Sequence, residues 1–316
     1  MLTFSPHLLG GVYLGWSLGA NDAANVFGTA VSSRMVRYPI AVALCALFII
    51  AGAALEGRAG MATIAGLSAA SISSATFAAV GAALSITLMT IMRIPSSTSQ
   101  AVVGAIIGVG LVDGTAKFSG LGKVVICWIG TPIGALLLAA LGYRAGAWLF
   151  NRLRLSMLVT DAVLRAALVV SGCYGAYALG ANNVANVTGV YYASGLLTLD
   201  WSVWLGGLSI ALGVLTYSKE VMLAVGRSIV KLDAYSALVV VLAEAATVHV
   251  YAMIGVPVST SQAVIGAVLG VGLVKQATAV KFGAAGRMTL GWIATPLIAG
   301  LVAAAIHLFA HLRYVP

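Results

Sequence analysis

Charged side chains are scarce in this chain. Asp, Glu, Lys and Arg make up 8% of its 316 residues, whereas 61% are hydrophobic and the mean hydropathy is +1.06. An ordinary soluble domain has about 25% charged residues, so this composition excludes a soluble globular protein. A bilayer core about 30 Å thick requires about 20 apolar residues per helix and leaves no water to satisfy backbone groups. Because the apolar runs are long and do not alternate with polar residues, the sequence predicts an all-α integral membrane protein.

Cysteine, histidine and N-terminal positive charge are also sparse. The three cysteines lie singly within apolar segments, and the four histidines form neither an H-E-x-x-H nor an H-x-x-E-H sequence. We therefore expect no disulfide framework, no histidine metal site and no cofactor other than a bound sodium ion. No Lys or Arg precedes Arg34, so the basic region that opens a cleavable signal peptide is lacking, and we expect the first apolar segment to be retained.

What the sequence does contain is an internal duplication. Residues 21–28 (NDAANVFG) recur as residues 182–189 (NNVANVTG), and two further pairs of motifs match at nearly the same offset. The second pair is PSSTSQAV at 95–102 and PVSTSQAV at 257–264, and the third is WIGTP at 128–132 and WIATP at 292–296. Three collinear matches indicate two related halves. We place them at residues 1–150 and 166–316, with residues 151–165 as a cytoplasmic connection.

Each half divides into about five apolar segments. They cover roughly residues 7–33, 38–65, 71–93, 95–112 and 122–150, then 162–192, 200–226, 233–255, 257–274 and 285–312. If each segment crosses the bilayer once, five is odd, so the second half begins on the opposite side from the first. The sequence therefore predicts two inverted-topology repeats.

The distribution of Lys and Arg tests this orientation, because basic residues concentrate in cytoplasmic loops. Arg34 and Arg37 follow the first segment, whereas the corresponding residues 195–200 include no base; conversely, Arg227 and Lys231 correspond to the uncharged residues 66–70. With the connection between the halves in the cytoplasm, twelve of the seventeen bases lie inside. We expect a multi-pass plasma membrane protein with both termini outside, whose net charge of +9 reflects topology and needs no nucleic acid partner.

The first repeated motif places polar residues deep in the bilayer. Asp22 lies about fifteen residues into the first segment, flanked by Asn21 and Asn25. An ionisable residue at that depth costs about 2.5–3.5 kcal/mol and typically marks a substrate or ion path. The alternative is that the asparagines only make interhelical hydrogen bonds. A helix broken between Gly19 and Gly28 would also present backbone groups to a cavity.

The second repeated motif predicts the start of a helix. A proline, Pro95 or Pro257, ends the preceding helix, and the Ser and Thr residues that follow are suited to capping the next one. A helix N-terminus carries about half a positive charge and suits an oxyanion. If these helices are re-entrant, their N-termini meet near the midplane; the alternative is an ordinary capped helix at the membrane surface. The glycine pairs at 104 and 108, and at 266 and 270, are suited to close helix packing.

Together the G-A-N-D-A-A-N sequence at residues 19–25, its counterpart at 180–186 and the two P-x-S-T-S-Q sequences resemble the inorganic phosphate transporter (PiT) family. The resemblance covers nearly the whole chain. It implies inverted repeats with broken or re-entrant helices, a central oxyanion site, cation-coupled uptake and a homodimer in membrane lipid. The anion-binding residues carried over are Asn21, Asn25, Ser97, Thr98, Ser99, Asn182, Asn186, Ser259, Thr260 and Ser261. We assign the coupling cation to Asp22, Asn183, Gln100, Gln262 and Glu244, with Asp22 as the sodium ligand.

One departure from the family pattern bears on the substrate. The family usually has Asp in both motifs, and this chain has Asn183 in the second. Hydrogenphosphate carries an O–H donor that a carboxylate can accept, whereas sulfate at neutral pH has none. We expect a cation-coupled symporter for inorganic phosphate. The alternatives are a sulfate permease, coupled to protons, and an anion channel. An enzyme is not expected, because no nucleophile and base pair or metal cluster accompanies Asp22.

Overall fold

The computed structural model describes residues 5–67, 71–92, 96–228, 232–275 and 282–312, and these contain eleven α-helices. The helices are α1 Leu8–Ser32, α2 Tyr38–Glu56, α3 Met61–Ala65, α4 Ile72–Ile91, α5 Thr98–Val112, α6 Leu121–Leu153, α7 Met157–Ala193, α8 Leu199–Ser228, α9 Ala234–Ile254, α10 Thr260–Val274 and α11 Phe282–Leu312. Pro95 and Lys231, which entered the sequence analysis, lie outside the described residues.

Within the described residues, seven helices are long and apolar enough to cross a bilayer: α2, α4, α6, α7, α8, α9 and α11. Large apolar side chains such as Ile126, Leu137 and Leu301 are exposed on the outer surfaces of α6 and α11, as expected where a protein meets lipid. The predicted all-α membrane fold is confirmed. Helix α1 is long enough as well, with 25 residues, but its polar residues make it less apolar.

Helices α4 and α5 form a hairpin that returns to the side on which it starts. Ser74, in the first turn of α4, donates a 2.6 Å hydrogen bond to Asp113, the residue after α5. Helices α9 and α10 close in the same way, because Lys275 after α10 donates a 2.5 Å bond to Asp233 before α9. Helices α5 and α10 have 15 residues each, about 22 Å, which is too short to cross. These short paired helices agree with the expectation of re-entrant helices, which stays a prediction.

These hairpins change the number of crossings that five segments imply. In each half three helices remain to cross: α1, α2 and α6 in the first, and α7, α8 and α11 in the second. Three crossings per half is an odd number, as were the five segments counted in the sequence. The opposite orientation of the two halves therefore remains a prediction that follows from an odd number of crossings. Helices α6 and α7 extend through most of residues 151–165, so only 154–156 are non-helical, and the placement of the connection between the halves there stays a prediction.

Helix α1 is continuous through its polar motif, and so is α7. The expectation of a broken helix between Gly19 and Gly28 is wrong. The glycines serve close approach instead, since a Cβ atom at Gly19 would overlap the carbonyl oxygen of Ile210, and one at Gly180 would overlap that of Ile49. Each half thus presses its polar helix against the second crossing helix of the other half.

The two halves pack crosswise throughout the described residues. Helix α1 packs on α8 and α2 on α7, while α5 packs on α11 and α6 on α10. Because α1 corresponds to α7, α2 to α8, α5 to α10 and α6 to α11, every contact in this set has a counterpart. The halves therefore form one interlocked unit, with the polar motifs at its centre.

Candidate functional site

The N-termini of α5 and α10 meet inside the protein. Ser97 and Ser259 cap them, as predicted, by accepting hydrogen bonds of 3.3 Å from the backbone N–H groups of Gln100 and Gln262. The two ends are also joined crosswise by two hydrogen bonds: Ser99 Oγ donates to the Val258 carbonyl at 2.8 Å, and Ser261 Oγ donates to the Ser96 carbonyl at 3.1 Å. Both half-helices therefore begin at one buried point.

Each of these helix ends presents backbone donors. The first intrahelical bond of α5 runs from Ala101 N to Ser97 O, and that of α10 from Ala263 N to Ser259 O. The preceding N–H groups, at residues 98–99 and 260–261, have no acceptor within their own helices. Two helix dipoles thus place positive partial charge at the same centre, an arrangement suited to a small anion.

Helix α1 supplies one carboxylate and one amide to this centre. Asp22 is 1% exposed and accepts a 2.9 Å hydrogen bond from the Thr98 hydroxyl of α5. Asn25, one turn further along, donates a 3.1 Å bond to the Thr260 hydroxyl of α10. Asp22 and Asn25 therefore connect α1 to both half-helices at once, and a single negative charge lies beside two positive helix ends.

Helix α7 contributes the corresponding asparagines. Asn182 makes two hydrogen bonds with the backbone of Val258, donating to its carbonyl at 2.8 Å and accepting from its N–H at 3.0 Å. Asn186 donates to Ser99 Oγ at 2.9 Å and to Asn183 Oδ1 at 2.8 Å. Asn182 thus holds the extended segment before α10, and Asn186 holds the start of α5.

Two of the predicted residues lie apart from this cluster. Asn21 donates a 2.7 Å hydrogen bond to Thr90 of α4 rather than to the segment before α5, so it lies at the edge of the site. Glu244 of α9 is fully buried, and neither of its carboxylate oxygens has a hydrogen-bond partner among the described residues. It packs where Gly175 of α7 leaves room beside Val26, one helical turn from Asp22.

Several buried polar atoms around the helix starts have no hydrogen-bond partner among the described residues. A buried polar group left unsatisfied costs about 1–3 kcal/mol, so such a group in a cluster indicates a ligand. The atoms are Gln100 Oε1, Gln262 Oε1, Asn186 Oδ1, Asn183 Nδ2 and Ser96 Oγ. Three are carbonyl oxygens that suit a hard cation, and two can donate to an anion.

Sequence reasoning missed two groups in this region. Thr90 is a single hydroxyl within an apolar run, and the Val258 carbonyl belongs to the backbone, so neither carries a motif. The offset between the halves does point to the segment before α10, because Val258 takes the place of Ser96. The difference between Val258 and Ser96 at equivalent positions was therefore the one sign in the sequence that this segment is special.

A helical membrane bundle with opposed re-entrant N-termini and a buried carboxylate between them has the architecture of a membrane transport protein. The model of the phosphate transporter family matches residues 18–303. The chain belongs to the phosphate transporter family, which consists of transporters rather than enzymes.

Individual relatives agree with this assignment over most of the chain. A protein of Methanocaldococcus jannaschii, provisionally named a phosphate permease, is 28% identical, and the match covers 95% of this chain and 96% of that protein. A sulfate permease of Bacillus subtilis is 27% identical, and the match covers 85% of this chain and 77% of the permease. The solved structure of a sodium-dependent phosphate transporter superposes with a TM-score of 0.84 at 23% identity, and the match covers 97% of this chain and 98% of the transporter chain. That similarity shows the fold.

Proposed function

We propose that this protein is a secondary active transporter that takes up inorganic phosphate together with a sodium ion across the plasma membrane. The observation that carries the proposal is the meeting of the α5 and α10 N-termini beside Asp22. A protein family that carries phosphate, and a fold shared with a sodium-dependent transporter, support it.

The anion binds between the two helix ends. Their backbone N–H groups and the hydroxyls of Thr98, Ser99, Thr260 and Ser261 donate to phosphate oxygens. Hydrogenphosphate also brings an O–H donor, and Asp22 is the one carboxylate that contacts this group of hydroxyls in the described residues. The site therefore matches both the charge and the proton of phosphate.

The cation binds in the same site, next to the side-chain carbonyl oxygens of Gln100, Gln262 and Asn186. Sodium prefers oxygen ligands, as other hard cations do. Asp22 supplies charge, and the side-chain carbonyls of Gln100, Gln262 and Asn186 are buried with no hydrogen-bond partner in the described part of the chain. A cation there neutralises part of the charge of the anion, so binding of each favours binding of the other. That mutual dependence is the physical basis of coupling.

Sulfate is the second candidate, since a specific residue favours it. Asn183 replaces the usual second carboxylate, and its Nδ2 is a buried donor with no partner among the residues that the structure describes. A donor there suits an anion without protons. A relative named as a sulfate permease makes this alternative concrete, and proton coupling through Glu244 would accompany it. We propose a homodimer for either substrate.

Uptake into proteoliposomes tests these assignments. Labelled phosphate and labelled sulfate are each offered with a sodium gradient, a proton gradient or neither. We expect saturable phosphate uptake that requires the sodium gradient. Asp22→Asn removes the charge while keeping the shape, and we expect coupled uptake to fall about 10- to 100-fold, the effect of losing a charged hydrogen bond of about 1.5–3 kcal/mol.

Asp161→Asn is the matched control, because Asp161 is an exposed acid paired with Arg165 on the surface of α7. It should leave uptake unchanged. Full coupled uptake in Asp22→Asn would remove Asp22 from the mechanism. Uptake of sulfate alone would select the second candidate, and electrical conductance without saturation would indicate a channel.

A further inference from the structure

Three metal-binding side chains come together away from the transport site, at the base of the α4–α5 hairpin. His307 and His311 lie one turn apart on α11, and Asp113 follows α5. One potential ligand atom from each lies within 4.8 Å of the other two. His307 Nε2 and Asp113 Oδ1 are 2.5 Å apart, and the rings of the two histidines are 4.5 Å apart.

The surroundings of these residues hold them in place. Asp113 uses its second oxygen, Oδ2, to accept a 2.6 Å hydrogen bond from Ser74, so the carboxylate is oriented from outside the cluster. Phe77 packs against the ring of His307 at 5.0 Å. His307 is 1% exposed and its Nδ1 has no partner among the described residues, whereas His311 is exposed. The cluster is therefore ordered on its inner side and open to solvent on its outer side.

The packing of α5 on α11 fixes the register that brings the residues together. The two helices run parallel, with Gly104 against Pro296 and Gly108 against Gly300. The next contact along this line joins Asp113 and His307. A shift of either helix would require the glycine contacts to open, so the distance between the acid and the histidine is determined by the scaffold.

The second half shows that closing a hairpin does not need this set of residues. The position of Asp113 is occupied there by Lys275, and an offset of 164 places Tyr143 and Ala147 at the positions of the two histidines. Lys275 closes that hairpin with an ion pair to Asp233 at 2.5 Å. The two-histidine, one-carboxylate set therefore joins the first-half hairpin to α11 of the second half, and the equivalent positions at the other hairpin carry Lys275, Tyr143 and Ala147 instead.

We propose that Asp113, His307 and His311 bind a divalent metal ion of the zinc class. Two imidazoles and a carboxylate suit zinc and its late first-row neighbours, and histidines at i and i+4 share one face of a helix. The exposed side of the cluster leaves the fourth position to water. The ion takes the place of the hydrogen bond between His307 and Asp113, and it links α5 to α11 at the base of the α4–α5 hairpin.

Cobalt(II) is the probe, because a site of this kind gives it intense visible absorption that six water ligands do not. The full chain is purified in detergent with chelator, and Co²⁺ is titrated and then displaced with Zn²⁺. We expect one strongly absorbing site per chain. His311→Ala and Asp113→Asn should each raise the Co²⁺ dissociation constant at least about 10-fold.

His7→Ala is the matched control. His7 is an exposed histidine near the same hairpin, bonded to Thr76 of α4, and it lies outside the cluster. Its removal should leave the titration unchanged. Because His311 is exposed, its substitution tests the site without disturbing the core, and gel filtration checks that each variant folds. A His311→Ala protein that keeps the wild-type absorption and affinity overturns the proposal, as does wild-type Co²⁺ that keeps the spectrum of the hydrated ion.

Discussion

Asn21 and Asn182 occupy equivalent positions in the two halves but make different contacts. Asn182 bonds twice to the Val258 backbone, whereas Asn21 bonds to Thr90. The repeated motif predicted the same role for both. Sequence identifies which residues are buried and polar, but the partner of each depends on neighbouring segments that have diverged between the halves.

Asn183 is the residue at which the halves differ most in chemistry. Its counterpart, Asp22, accepts from Thr98, while Asn183 accepts from Asn186 and its Nδ2 has no partner within the described ranges. In Asn183→Asp the bond from Asn186 is retained and a buried donor becomes an acceptor. We expect the ratio of phosphate to sulfate uptake to rise about 10-fold or more, since a charged hydrogen bond contributes about 1.5–3 kcal/mol.

Competition between labelled phosphate and unlabelled sulfate in proteoliposomes measures that ratio. Asn186→Asp is the control, because it adds the same charge one turn away but breaks the bond to Ser99. It should reduce uptake of both anions. An Asn183→Asp protein with the selectivity of the wild type would show that the side chain at position 183 does not accept a hydrogen bond from the O–H group of phosphate.

At the scale of the elements, the re-entrant helices were predictable and the lengths of the crossing helices were not. Prolines, capping residues and runs of only 15 residues identified α5 and α10. The apolar pattern ended α6 at residue 150 and began α7 at residue 162, whereas the helices reach Leu153 and start at Met157, because polar residues such as Arg152 and Asp161 are compatible with helix beyond the bilayer. Hydropathy reports where lipid ends, and helices continue past that point.

The repeated T-P sequences illustrate how an element can be explained only once its packing is known. Pro132 lies inside α6 and Pro296 inside α11, where each removes a backbone donor. Thr131 and Thr295, which precede the prolines, each donate through their hydroxyl to the carbonyl four residues earlier. The carbonyl of each proline lies against a glycine of the opposite hairpin, Gly266 or Gly104.

That contact gives a stability prediction. A Cβ atom at Gly104 would overlap the Pro296 carbonyl, which is backbone and cannot rotate away. Gly104→Ala should lower the free energy of unfolding by about 1–3 kcal/mol, as overpacking does. Chemical denaturation in detergent micelles measures it.

Gly142→Ala in α6 makes the same chemical change where there is room. A Cβ there would lie 3.8 Å from Val239 Cγ1, an ordinary contact. Alanine is the better helix former, so this variant should gain about 0.5–1 kcal/mol. Equal effects of the two substitutions would mean that α5 and α11 do not pack this closely.

At the scale of the whole molecule, the duplication was visible in the sequence and the crosswise packing was not. The glycines at 19, 52, 180 and 213 are apolar positions like many others, yet each meets a backbone carbonyl in the other half. Such contacts join residues more than 100 positions apart. Sequence patterns report local periodicity, so partners between halves become known only from the fold.

The opposite orientation of the halves can be tested at a matched pair of residues. Ser33 ends α1 and Ser194 ends α7, and the serines are counterparts in the duplication. Each donates through its hydroxyl to the carbonyl three residues earlier, Ala30 or Tyr191. A cysteine at either position therefore removes the same local bond, and neither substitution disturbs the core.

In a background without native cysteines, a membrane-impermeant thiol reagent applied to intact cells should label Ser194→Cys and not Ser33→Cys. Permeabilising the membrane should make both react.

The expected difference arises because three crossings separate equivalent ends of the two halves, and an odd number of crossings moves the second end to the other face of the membrane. Removing the three native thiols is tolerable because Cys45, Cys127 and Cys173 are free and small, and alanine can replace them. Labelling of both positions from the outside would contradict the inverted orientation of the two halves.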